Sequence, residues 1–129
     1  MRLTELQKHL EQVGLRVTQR LGEKAINSLV PRTPVKTGLH RGNWRANVGE
    51  PKGERFDTLD PDGGATISAA MEVIRNLQPG DVLVLENSGP AISLLENGSS
   101  QQAPNGFVRI TQAELRAQVG QIYREEMAK

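Results

Sequence analysis

The stretch LTELQKHLEQVGLRVTQRLGEKAINSL, Leu3–Leu29, decides the fold. Leu3, Leu6, Leu10, Val13, Val17 and Leu21 recur at steps of three and four, and Ala25, Ile26 and Leu29 continue the stripe with a slight offset. That spacing predicts an amphipathic helix over about 3–29, on the order of 40 Å long at 1.5 Å per residue. Pro31 and Pro34 are expected to end it, because a proline disfavours helix at the residue before it. Gly14 and Gly22 weaken the helix interior and allow a kink. The stripe spans under four heptads and Gly14 breaks a good seam, so packing on the protein's own sheet or on a neighbouring subunit is expected rather than a coiled coil.

Beyond this helix the pattern changes. Residues 31–42 read as a loop punctuated by Pro, Thr and Gly. From Asn43 to Val48, Trp44, Ala46 and Val48 alternate with polar residues, as in a half-buried strand. Residues 49–64 form a second loop ending in the turn signal Asp60-Pro61-Asp62-Gly63-Gly64. Ala65–Leu77 is a helix candidate with Ile67, Ala70, Met71, Ile74 and Leu77 on one face. Val82–Leu85 is a continuous apolar run, which suggests a central strand. Asn87–Pro90 reads as a turn, Ala91–Leu95 as a short helical turn, and 97–106 as a polar loop. Phe107–Ile110 reads as a third strand. Thr111 and Glu114 fit a capping box opening a last helix over about 111–127, with Leu115, Val119, Ile122 and Met127 as its stripe. The expectation is one α+β domain over 1–129, a small antiparallel β-sheet packed against long N-terminal and C-terminal helices, with extended loops. Loops of this length inside a compact domain suggest a use.

Composition narrows the functional classes. The 129 residues are 36% hydrophobic and 3% aromatic, so the core is built from aliphatic side chains and is expected to be thin. Thin cores gain stability by oligomerising. Sixteen basic against 15 acidic residues leave a net charge of +1, which gives no general pull toward nucleic acid or membrane. The absence of Cys removes disulfides and thiol catalysis and allows a reducing compartment. No apolar run approaches the roughly 20 residues of a membrane span, and the sequence from Met1 to Leu6 lacks the apolar region of a signal peptide.

Motifs of site chemistry are sparse. His9 and His40 lie on different elements and read as exposed or interface residues. Asp60, Asp62 and Gly63 resemble a calcium loop, but its first and twelfth positions would be Thr58 and Ala69, so a turn is the better reading. No phosphate-binding loop and no Gly-x-Ser-x-Gly elbow occurs, and Asn97-Gly98-Ser99 is a chance glycosylation match. No enzyme activity, cofactor or metal is expected. Arg32, Lys36, Arg41 and Arg45 lie within 14 residues around Trp44. They suit a solvated loop, an acidic protein partner or DNA phosphates. Trp44 reads as a core anchor because it alternates in register with Ala46 and Val48, with an interface anchor as the alternative.

Three motifs carry a resemblance. They are Thr33-Pro34-Val35-x-Thr37-Gly38 with Arg41 and Trp44, then Asn87-x-x-Pro90 with Leu95-Glu96-x-Gly98, and last Gln102-Ala103-Pro104-x-Gly106. In this order they resemble the tail-completion, or neck, proteins of long-tailed bacteriophages. The chain departs from that pattern at Ala91-Ile92, where the family often has an aromatic and Ala, and at Leu39-His40-Arg41, where it often has Arg-Leu-Arg. The resemblance implies a structural virion protein made in a bacterial cytoplasm. It would be a homo-oligomeric ring subunit, a hexamer as the family implies, joining the head connector or adaptor to the tail tube or tail terminator around the DNA channel. Tail terminator, minor tail protein, or a nucleic-acid-binding accessory protein using residues 32–45 are the alternatives. Thr33, Lys36, Arg41, Arg45, Glu96, Gln102 and Pro104 are then the interface candidates, and Pro34, Gly38, Trp44, Gly98 and Gly106 the structural motif residues. The shared motifs also suggest that Glu96 pairs with Arg41 or Arg45, within or between subunits.

Overall fold

The computed structural model describes residues 2–129 and has the expected α+β architecture: four helices, 55% helical residues and a two-stranded antiparallel sheet. Helix α1 spans Leu3–Arg32, β1 Trp44–Val48, α2 Gly64–Arg75, β2 Leu83–Asn87, α3 Ile92–Glu96 and α4 Val108–Met127. Helix α1 is the axis. Along one side α4 runs antiparallel to it, because Arg32 meets Glu114, Ser28 meets Thr111, and Arg16 meets Glu126. On another side lie α2 and the β1–β2 pair, whose register runs from Trp44 opposite Asn87 to Val48 opposite Leu83.

Ile26, Leu29, Val30, Trp44, Ile74, Leu77 and Phe107 form the buried centre, with Trp44 and Phe107 edge to face at 6.4 Å. Trp44 is therefore a core anchor. Gly22 has a packing reason: a Cβ there would come within 2.5 Å of Leu83 Cδ2 and 3.4 Å of Ile74. The glycine that weakens α1 by propensity is what lets α2 and β2 approach it.

Four expectations need correction. Helix α1 absorbs Pro31 and ends at Arg32; one missing N–H in a last turn is tolerated, whereas Pro34 forces Thr33 into extended backbone (φ −66°, ψ 125°). Phe107–Ile110 is not a strand: Val108 already begins α4, after Phe107 at φ −140°. The mostly apolar run Phe107, Val108, Arg109 and Ile110 fits both elements, and capping from a distant carboxylate selects the helix. Thr111 and Glu114 consequently lie inside α4, where they bind Ser28 and Arg32 rather than forming a capping box. Finally, β2 is not central, since β1 is its one partner in the sheet.

The far end of α4 is held by charge. The Glu126 side chain is 1% exposed and receives Arg16 Nε at 2.7 Å, Arg20 Nη1 at 2.9 Å and Lys129 Nζ at 2.9 Å, while Arg20 also reaches Glu125 at 2.8 Å. The Lys129 ammonium, with Arg16 and Arg20, outweighs the cost of burial and brings the Glu126 carboxyl down from 4.5 to about 2. A carboxyl lowered on folding stabilises the fold above its unfolded value and loses that contribution as pH falls through its folded one. The urea midpoint is therefore expected to fall between about pH 5 and pH 2, and Glu126→Gln to be less stable at pH 7 with a flatter acid limb. An unchanged slope in the variant would remove Glu126 from this role.

Candidate functional site

The motif residues converge on the ends of α1 and α4. Thr33, fully buried, donates from Oγ1 to the Leu29 carbonyl at 2.6 Å and accepts Trp44 Nε1–H at 2.8 Å. Arg41 turns back on the same helix end. Its guanidinium donates to the carbonyls of Thr33 at 2.7 Å, Pro31 at 2.9 Å and Pro61 at 2.7 Å, placing a cation where helix carbonyls lack partners. Gly38, at φ +92°, makes this return possible, and a Cβ there would stand 2.5 Å from Pro61 N. Pro34 is also buried.

Glu96 has the corresponding role at α4. Its carboxylate accepts the N–H groups of Phe107 and Val108 at 2.8 Å and of Arg109 at 3.1 Å, and Arg109 also bonds the Glu96 carbonyl. One side chain thus satisfies three otherwise unpaired donors at a helix N-terminus. Desolvation raises the carboxyl pKa, but these three N–H groups and the Arg109 charge outweigh it, and Glu96 lies below the usual range. The loop 97–106 closes between these points with Gly98 and Gly106 at φ +89° and +83°; Pro104 is exposed and its carbonyl lies against Gly98. Gln102 clasps the other motif loop: Val35 N–H donates to its Oε1 at 2.9 Å and its Nε2 donates to the Val35 carbonyl at 2.8 Å.

These contacts revise the interface candidates. Thr33 offers no surface, and Arg41 and Glu96 are committed to backbone groups of their own chain. Arg45 donates to the carbonyls of Gly42 and Trp44 and stacks 3.8 Å over the Phe56 ring. The pairing of Glu96 with Arg41 or Arg45 does not form within the chain; the Glu96 ion pair is with Arg109 at 3.6 Å. Arg32 pairs with Glu114 at 3.0 Å. Of the basic stretch, Lys36 remains exposed with no ion pair among the described residues.

Several organising residues stood outside the interface candidates. Asn43 holds Phe56 by both backbone groups, accepting its N–H at 2.8 Å and donating to its carbonyl at 2.9 Å. Glu86 accepts the N–H groups of Lys52 and Gly53 at 2.9 and 2.7 Å. Asp60 accepts Thr66 N–H at 2.8 Å and Thr66 Oγ1–H at 2.6 Å in the first turn of α2, and the Thr66 hydroxyl leads the causes that lower its pKa. Asn87 donates to the His40 carbonyl at 2.6 Å and accepts Gly89 N–H, while His40 Nε2 bonds the Pro90 carbonyl. The Asn-x-x-Pro motif was the visible trace of this last arrangement. Asn43 and Glu86 were hidden because their key partners are backbone groups, which have no sequence identity, while Asp60 was legible as part of a turn but not as the partner of Thr66.

The cluster is a set of backbone clamps. Among the described residues no group of three or more His, Cys, Asp and Glu could hold a metal ion, and no helix is long and apolar enough to cross a membrane. No protein-family model, curated protein or solved structure significantly matches the chain.

Glu96→Gln keeps the shape but halves the acceptor capacity and removes the charge. It is expected to cost about 1–2 kcal/mol in urea unfolding at pH 7. The difference from the native chain should shrink as pH falls from about 4.5 through the lower folded-state value, where both side chains are neutral. A variant of native stability at pH 7 would show that α4 does not depend on this cap.

Proposed function

We propose that this chain is a structural subunit of a tailed-phage virion, a neck or tail-completion protein that joins the head connector to the tail through protein–protein contact. The observation that carries this reading is an uncovered apolar stripe. Val13 is 1% exposed, but Leu10, Leu6 and Leu3, on the same face of α1, are 44%, 39% and 83% exposed. Helix α1 therefore extends its core-facing stripe beyond the end of α4, which meets it around Arg16. Two helical turns without tertiary support are marginal in water, and a stripe continuous with a core suits a surface covered on assembly.

The motif resemblance supplies the phage context. The clamps support it by giving the motif residues a common purpose: long loops held in place at the ends of two helices. The alternative of DNA binding through residues 32–45 has less support, because Arg32, Arg41 and Arg45 are engaged within the chain. A ring of six and its neighbours, the head connector and the tail tube or terminator, come from the resemblance.

The test is electron microscopy of lysates from a phage with an early stop codon in this reading frame. Filled heads beside complete, unattached tails are expected. Tails of uncontrolled length would assign the chain to tail termination instead, and normal infectious particles would overturn the virion reading.

A further inference from the structure

The face of α1 turned toward α4 carries a column at four-residue spacing: Arg16, Arg20, Lys24, Ser28 and Arg32. Residues so spaced lie on one side of a helix. Across from it, α4 presents acceptors that complete nearly every rung. Arg16 and Arg20 bind Glu126, Ser28 binds Thr111 and Glu114, and Arg32 binds Glu114. Lys24 alone in this column has no side-chain hydrogen bond or ion pair among the described residues, and Gln118 stands with it where an acid would complete the ladder.

At this rung the two helices leave a groove of about 540 Å³, with Lys24 and Asn27 on the α1 wall, Gln118 on the α4 wall and the buried Thr111 contributing to the lining. The groove therefore offers the exposed Lys24 ammonium beside the polar residues Asn27 and Gln118. The complementary ligand is a carboxylate, the chemistry of an acidic residue in an exposed loop.

The same chain exposes such a segment. Glu50, Glu54 and Asp57 are exposed and make no ion pair among the described residues. Their loop is nevertheless held in place by Glu86 at Lys52 and Gly53, and by Asn43 and Arg45 at Phe56. A loop fixed in advance loses little entropy on docking. It cannot fill the groove of its own chain. It leads into Gly63, which packs against Val30, and Val30 lies two residues, roughly 200° of helical turn, from Ser28, which faces α4.

We propose that the groove between α1 and α4 receives loop 50–57 of a second copy, with Lys24 taking the carboxylates of Glu54 and Asp57. The two patches share no residue, so the contact is heterologous, the type that propagates around a ring. The inference rests on the assembly reading through its second copy.

The chain has no Cys, which makes disulfide trapping unambiguous. Lys24→Cys and Asp57→Cys chains, mixed and mildly oxidised, are expected to give a covalent dimer. The double variant should give a ladder of higher species, and Lys24→Cys mixed with Glu72→Cys on α2 should give neither. In sedimentation of the cysteine-free chain, Lys24→Glu should weaken self-association by about tenfold or more at low salt, and Glu54→Lys with Asp57→Lys should restore it. Circular dichroism of each variant checks that it remains folded. Overturning results are a Lys24–Asp57 bond no more frequent than the control, an association that Lys24→Glu leaves unchanged, or a native chain that stays monomeric throughout. The stop-codon phage judges the assembly reading separately. A joining defect without the trapped bond would keep that reading and remove this contact, and a trapped bond with normal virions would do the reverse.

Discussion

The hydroxyl of Thr33 is the point on which the architecture depends. One fully buried oxygen donates to the last turn of α1 and accepts from the indole of Trp44. It joins the longest helix to the first strand across 11 residues of loop. Removing it would strand the buried indole N–H of Trp44, and an unpaired buried group costs more than a formed bond gains. Arg41 adds a second closure around the same helix end, and Phe107 brings the start of α4 against the Trp44 ring. Both long helices, the sheet and the motif loops therefore meet within one small volume.

Beyond the core, side chain–backbone bonds carry part of the specification. Each of the long loops is fixed by a few side chains that reach across sequence to peptide groups: Gln102 to Val35, Glu86 to Lys52 and Gly53, Glu96 to the opening turn of α4. Such bonds are modest individually, yet they are directional, and they fix loop conformation in a way apolar contact alone does not. They also explain how a chain with four aromatic residues keeps long irregular segments in one shape.

What was legible in the sequence follows from the same division. Periodicity located α1, α2 and β1 to within a few residues, because burial on one face leaves a repeating trace, and the continuous apolar run Val82–Leu85 located β2. The glycines and prolines of the motif loops were legible as turns, and Gly38 and Gly106 do carry the positive φ that such turns need. The start of α4 was not legible. Its cap comes from Glu96, 11 residues upstream of Phe107, and a local capping signal at Thr111 competed with it. Among the site candidates, Arg41, Arg45 and Glu96 were singled out as charged motif members suited to a partner. Their commitment to carbonyl and N–H groups could not be read, since every residue offers those groups alike.

That indifference to side-chain identity has an evolutionary consequence for the loop over Lys52–Phe56. Its clamps grip backbone atoms, so residues there can be exchanged without loosening the grip, apart from Gly53 with its φ of +66° and Phe56 under the Arg45 guanidinium. Drift at Glu50, Glu54, Arg55 and Asp57 would rewrite the charge shown to a neighbour while the scaffold keeps its geometry. A lineage could thus change its assembly partner through a few exposed positions at little cost in stability, and the clamps would confine that variation to the loop.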